Sequence, residues 1–148
     1  LNGGISSAEG VMYRDWTTLY FDGREYREPR MTPFVRTMCY NTGYRDHLLA
    51  MIKEIATNYP VSGFFIDCLA PYPCVCPTCV KEMKEKGIDH SKLEEVTKFS
   101  QFSMERLSAD ISKVLNDINP NYLIFFNYCV YSYPGFKNTQ SIFSLTTS

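Results

Sequence analysis

The sequence predicts an α/β fold with parallel strands, and three observations carry that prediction. Two short, continuous apolar runs at 61–67 and 122–127 each end in a polar residue, Asp67 and Asn127. Such runs suit parallel strands buried on both faces. The stretch between them has helical periodicity and is long enough for a right-handed crossover. The composition is that of a folded domain: 148 residues, 45% hydrophobic, 21% charged and 15% aromatic, which is too aromatic and too sparsely charged for a disordered chain.

The elements follow in order. Residues 1–38 are broken repeatedly by Gly3, Gly4, Gly10, Gly23, Pro29 and Pro33, so loops dominate there. The stretch 13–21 has strand character, and Asp22-Gly23 reads as a tight turn. A helix is expected over 44–58, where Leu48, Met51, Ile52 and Ile55 build one apolar stripe. Asn41 or Thr42 can cap its start and Pro60 stops it. The strand 61–67 follows, then a Pro- and Cys-rich loop over 69–79 and a short helix over 80–86 that closes at Gly87. A long helix over 93–118 presents Val96, Phe99, Phe102, Met104, Leu107, Ile111, Val114, Leu115 and Ile118. After Asn119-Pro120 comes the second strand, and residues 128–148 read as an irregular tail. The expected organisation is one unit over 1–148: a loop-rich opening over 1–43, a helix–strand–helix–strand core over 44–127, and the tail.

Charge excludes some function classes. Lys+Arg 15 against Asp+Glu 16 gives a net charge of -1, and no basic stripe is present, so no nucleic-acid partner is expected. The longest apolar runs reach about half a bilayer span, so no membrane-crossing helix is expected. The chain opens on Leu1 without a basic or apolar leader, which reads as a processed product, an excised domain or a fragment. The 11 Tyr, 10 Phe and 1 Trp fill core and loop gaps on one reading and stack on sugar rings on another.

The cysteines are the sharpest local signal. Cys74, Cys76 and Cys79 form C-x-C-x-x-C, and three thiolates in a tight loop can converge on one metal. Zinc favours four tetrahedral, sulfur-rich ligands in closed structural sites. Cys39, Cys68 or, more weakly, Cys129 can supply the fourth. The same residues also read as disulfides, as inert buried thiols, or, for Cys76 and Cys79, as a redox pair at a helix N-terminus. The redox reading leaves Cys74 surplus. Among acidic groups, Asp67 is the best catalytic candidate, because a carboxylate ending an apolar strand costs free energy unless it is paired or used. Capping a loop or pairing with an Arg is the competing reading. Asn127 holds the equivalent position on the next strand, where it can bind a substrate hydroxyl or cap a loop. His47 and His90 each stand alone, and the run Lys81-Glu82-Met83-Lys84-Glu85-Lys86 reads as a solvated helix face.

Taken together, Arg36-Thr37-Met38-Cys39-Tyr40-Asn41-Thr42-Gly43-Tyr44-Arg45-Asp46, then a helix, then Gly63-Phe64-Phe65-Ile66-Asp67, then Cys74-Val75-Cys76-Pro77-Thr78-Cys79 resemble the catalytic barrels of glycoside hydrolases. The pattern is similar to the family 42 β-galactosidases and closer to a related α-L-fucosidase-like group. The resemblance spans roughly residues 36–127. It implies part of a (β/α)₈ TIM barrel, about half of one, centred on the fourth and fifth strands. A full barrel takes about 250 residues. It also implies structural zinc on Cys39, Cys74, Cys76 and Cys79, which favours Cys39 over Cys68, and no catalytic cofactor.

Family 42 carries Asp-Asn-Glu at the end of this strand, with Glu as the acid/base. This chain reads Asp67-Cys68-Leu69, so β-galactosidase chemistry with the usual residues is not implied. The fucosidase-like group has Gly-x-x-x-Asp, which this chain matches. The role implied for Asp67 is that of nucleophile in retaining hydrolysis of a terminal glycosidic bond. The second carboxyl group is expected outside the chain. Asn127, Tyr72, Tyr128 and Tyr131 are expected to line a sugar pocket. A non-catalytic carbohydrate-binding or zinc-stabilised scaffold domain, and a thiol-disulfide oxidoreductase using Cys76 and Cys79, are the alternatives. The expected partner is a carbohydrate, with any self-association running through regions outside the chain. Thiolate zinc ligands lean toward the cytoplasm and leave a secreted or periplasmic location open.

Overall fold

The computed structural model describes residues 1–6, 8–21 and 36–128. The turn at Asp22-Gly23, the tail beyond 128, Cys129 and Tyr131 lie outside the described residues. The elements are β1 (Ile5–Ser6), α1 (Ala8–Met12), a 3₁₀ turn (Arg14–Trp16), β2 (Arg36–Thr37), α2 (Gly43–Asn58), β3 (Gly63–Leu69), α3 (Pro77–Glu85), α4 (Leu93–Ile118) and β4 (Leu123–Tyr128). The architecture is mixed α/β with small sheets. No helix among the described residues is long and apolar enough to cross a membrane.

The two predicted strands pair in parallel, with Phe64 opposite Ile124, Phe65 opposite Phe125 and Ile66 opposite Phe126. Gly63 lets the strands meet: a Cβ there would sit 2.2 Å from the Leu123 carbonyl oxygen. The N-terminal residues extend the ladder on the other side of β3. The Leu1 nitrogen donates to the Phe65 carbonyl at 2.9 Å, Asp67 N–H to Leu1 O at 2.7 Å, and Gly3 N–H to Asp67 O at 2.7 Å. β3 therefore lies between two parallel neighbours.

α2 starts where Thr42 caps it, its hydroxyl accepting from Tyr44 N–H. Tyr44, Leu48, Ile52 and Ala56, spaced by four, bury one stripe. They meet Phe64 and Ile66 of β3 and Met104, Leu107, Ile111 and Leu115 of α4 in the main core. Arg45 braces the two helices, donating through Nε at 2.9 Å and Nη2 at 2.6 Å to Asp110 Oδ2. α4 also buries Ser100, Ser103 and Ser108, each hydroxyl donating to the carbonyl four residues earlier. α3 ends as predicted at Gly87, whose φ of 68 lets Ile88 N–H reach Met83 O and Gly87 N–H reach Lys84 O.

Three expectations are corrected. The strands are not buried on both faces. Helices cover the face carrying Phe64 and Ile66, while Phe65 (52% exposed), Phe125 (44%) and Leu123 (75%) stand open on or beside the other. The Phe65 and Phe125 rings stack there, 5.0 Å apart. Residues 13–21 are not a strand: Arg14–Trp16 form a 3₁₀ turn, and pairing is confined to bridges such as Thr17 with Met38. On α4, Phe102 and Ile118 turn outward, and Phe102 lies under the cations of Lys86 and Arg106 at 5.5 and 5.3 Å.

Candidate metal centre and strand-end carboxylate

Backbone pairing brings Cys39 to the Cys-rich loop. Its N–H donates to Trp16 O at 2.8 Å, and the loop is tied in by Val75 N–H to Leu19 O at 2.8 Å. Cys76 is the N-cap of α3 with Pro77 in the first turn, so Cys79 falls one turn later on the same side. The Sγ atoms of Cys39, Cys74, Cys76 and Cys79 all lie within 4.8 Å of one another, and all four residues are buried. Cys39 Sγ is 3.7 Å from Cys76 Sγ and 3.4 Å from Cys79 Sγ. A tetrahedral centre with metal–sulfur bonds of about 2.3 Å needs sulfurs about 3.8 Å apart. The four cysteines therefore fit a soft or borderline divalent ion such as zinc. Cys68 is not in the cluster. Cys76 and Cys79 do not stand as the isolated pair that dithiol chemistry needs.

The electrostatics are those of four thiols crowded together. Contacts with Cys74, Cys76 and Cys79, together with burial, push the Cys39 thiol well up. Cys76 is held far down because the thiols of Cys39, Cys74 and Cys79 and the Cys79 backbone N–H all point at it.

Around the sulfurs lies a set of partners that sequence reading missed. Asn41 Nδ2 donates to Cys79 Sγ at 3.2 Å and to Ser103 Oγ at 2.9 Å. Its Oδ1 accepts from Arg106 Nη2. Arg106 is in turn held by Glu82, Nη1 to Oε1 at 2.9 Å. Leu19 N–H approaches Cys74 Sγ at 3.5 Å. Met83, Val96 and Phe99 seal the centre from below. Asn41 was legible only as a cap candidate, and no local pattern marks Arg106, which reaches the site from α4 across 65 residues. The Lys81–Lys86 run is thus only in part a solvated face, since Glu82 pairs with Arg106 and Met83 is fully buried.

Asp67 sits near the C-terminal end of β3, where the ladder slips. Between the pairs Ile66–Phe126 and Leu69–Tyr128 the register shifts, so Asp67 and Cys68 on β3 face Asn127 alone on β4. Cys68 takes up the extra residue with a φ of 59, the left-handed region that costs a non-glycine residue about 1–2 kcal/mol. Such bulges re-aim side chains. Asp67 Oδ1 accepts Asn127 Nδ2 at 2.7 Å and Cys68 N–H at 2.8 Å. The Asn127 bond holds the Asp67 carboxyl below its ordinary range against opposing desolvation, with the Cys68 N–H adding to it.

Of the aromatic residues named for a sugar pocket, Tyr72 and Tyr128 are described, and both hydroxyls are hydrogen-bonded within the fold. Tyr72 is buried and its hydroxyl donates to Cys68 O at 3.4 Å. Tyr128 donates to Ser108 Oγ at 3.3 Å. Asn127 is engaged with Asp67. His47, read as standing alone, meets Glu9 at 3.3 Å and lies beside the Trp16 ring. Of two clefts lined by described residues, one of about 410 Å³ runs past Asn41, Arg45 and Arg106 and one of about 350 Å³ past Lys86, Phe99 and Phe102. Asp67 lines neither.

No family profile matches the chain, and no curated protein sequence matches it. Among solved structures, alpha-L-fucosidase isoenzyme 2 from Paenibacillus thiaminolyticus superposes with a TM-score of 0.74 at 24% identity, over 81% of this chain. The chain spans 18% of that protein's length. The likeness shows that the two share a fold over this stretch.

Proposed function

We propose that this chain is an arc of a (β/α)₈ glycoside hydrolase barrel of α-L-fucosidase-like type, with Asp67 as the nucleophile. The observation that carries the reading is the place of Asp67. It is a carboxylate near the C-terminal end of a strand flanked by two parallel neighbours, on a bulge that aims it. Catalytic groups of such barrels sit at that end of the strands. The fold shared with a solved fucosidase supports it. So does the sheet face carrying Phe65 and Phe125: helices cover the other face, and a barrel lumen formed by further strands is the environment that would bury these rings.

In this reading Asp67 attacks the anomeric carbon and a glycosyl-enzyme forms. A second carboxyl group, supplied by the rest of the barrel, protonates the departing oxygen and then activates water. Cys39, Cys74, Cys76 and Cys79 would hold a structural zinc, which supplies cross-linking of the loop after β3 and takes no part in the chemistry. The native full-length protein is expected to hydrolyse an aryl α-L-fucoside. Asp67→Asn is expected to abolish that activity while the circular dichroism spectrum stays that of a folded protein. A full-length protein inert on a broad panel of aryl glycosides refutes the enzyme reading.

A further inference from the structure

Asp67 Oδ1 and Oδ2 are not equivalent. Both N–H donors that reach the carboxylate, from Asn127 and from the Cys68 backbone, fall on Oδ1. Two features aim them there. The slipped register sets Asn127 opposite both bulge residues, and the Cys68 N–H, in the peptide that follows Asp67, reaches back onto the preceding side chain. The bulge is itself braced. Gly4 presses against it so closely that a Cβ would lie 2.0 Å from Cys68 O, and Tyr72 donates to the same carbonyl. Asn127, expected from the sequence to bind a substrate hydroxyl or cap a loop, spends an amide N–H on the carboxylate.

We infer that Asn127 and the Cys68 bulge form a clamp that fixes Oδ1 and leaves Oδ2 as the oxygen that attacks. This rests on the nucleophile role proposed for Asp67. The step is a displacement: an Oδ2 lone pair forms the bond to the anomeric carbon as the glycosidic C–O bond breaks. That bonding pair leaves with the departing oxygen, which takes a proton from the second carboxyl group. Oδ1 becomes the ester carbonyl oxygen and keeps its two donors. Asn127 is thus a positioning residue, because it touches the nucleophile rather than the sugar. The titratable side chain that faces Asp67 among the described residues is the Cys68 thiol, which also hydrogen-bonds the carboxylate.

The test uses the native full-length protein and a 2-deoxy-2-fluoro-fucosyl fluoride, which traps glycosyl-enzymes. Peptide mass spectrometry of the parent protein separates the two layers. An adduct on another residue, or none, overturns the nucleophile assignment and the clamp with it. With the adduct on Asp67, Asn127→Ala is expected to slow labelling and kcat about a hundredfold, the scale of a misplaced reacting group, while KM moves less than about threefold. Asn127→Asp places a second carboxylate against Oδ1. It is expected to shift the acidic limb of the pH–rate profile upward by about one unit or more, since a like charge raises the pKa of its neighbour. Both variants should melt near the parent. Labelling of Asn127→Ala at the parental rate, or an unmoved acidic limb in Asn127→Asp, overturns the clamp and leaves the nucleophile standing.

Discussion

Asn41→Ala should separate the metal centre from the scaffold around it. The substitution deletes the hydrogen bonds to Cys79 Sγ at 3.2 Å and Ser103 Oγ at 2.9 Å, and the one accepted from Arg106. The Ser103 and Arg106 bonds exist with or without a metal. Together they contribute about 2–3 kcal/mol, one being neutral and one charge-assisted, and Arg106 keeps Glu82 in compensation. Only the N–H aimed at Cys79 is specific to the ligand set. Partners of this kind typically alter metal affinity by about 10–100-fold. The lower figure suits a single N–H to sulfur, so the zinc Kd is expected to weaken about tenfold. By linkage this appears as about 1.4 kcal/mol of additional stability loss when free zinc is well above both dissociation constants. Competitive titration against a chromophoric chelator gives Kd, and urea unfolding with zinc and with EDTA gives the two stabilities. Equal losses in both buffers, with Kd within twofold of the parent, refute the link between Asn41 and the metal.

Further outcomes follow from the same geometry. Chelation, or Cys76→Ser, should lower the melting temperature and increase proteolysis in the loop over 69–79. The apparent zinc affinity should fall with decreasing pH more steeply than a single-proton dependence, because several thiolates must be kept deprotonated; a pH series of the same titration checks this. Leu107→Ala, at a fully buried position facing α2 and β3, should cost about 2–5 kcal/mol in urea unfolding. Lys113→Ala, which removes only an exposed pair with Asp117, should leave the urea midpoint unchanged. The carboxyl of Asp67 is depressed in the folded state. Its contribution to stability is therefore fully present above the ordinary carboxylate pKa of about 3.9 and is lost as pH falls through the lower folded value. Urea midpoints measured down through this range should fall less steeply for Asp67→Asn than for the parent.

What the sequence made legible was whatever repeats with a period or clusters within one turn. α4 runs over the residues its apolar spacing marked, α2 starts at the Thr42 cap, and Gly87 closes α3 in the left-handed conformation. The C-x-C-x-x-C loop pointed to three of the four clustered sulfurs because its spacing is local. Spacing alone left Cys39 one candidate among several for the fourth, since its place depends on backbone pairing with Trp16, and it was the family resemblance that favoured it over Cys68, as the cluster bears out. The exposed face of β3 and β4 was misread for a related reason. A continuous apolar run says that both faces are apolar, and the occupant of the second face is set by elements elsewhere. The hydrogen bond from Asn127 to Asp67 was not legible, because a bulge that sets two residues opposite one leaves no mark in hydrophobic pattern.

The metal centre and the carboxylate are joined through a short run of contacts, and this gives the cysteine cluster a consequence beyond stability. Tyr40 follows Cys39, and its hydroxyl both donates to Ala70 O at 3.0 Å and accepts from Ala70 N–H at 3.3 Å. Ala70 lies in the loop leaving β3, and two residues later Tyr72 reaches back to Cys68 O. The cluster thus anchors both ends of a loop whose start is the Asp67 bulge: Cys39 through Tyr40 on one side, Cys74, Cys76 and Cys79 on the other. The left-handed Cys68 is an unfavourable local state that persists only while its surroundings hold it. Without a cross-link through the four cysteines, the loop would hold the bulge, and the Cys68 N–H that reaches Oδ1, less firmly. On this argument a metal held by the four cysteines would bear on the setting of the Asp67 carboxylate without touching it, through a chain of four packed residues.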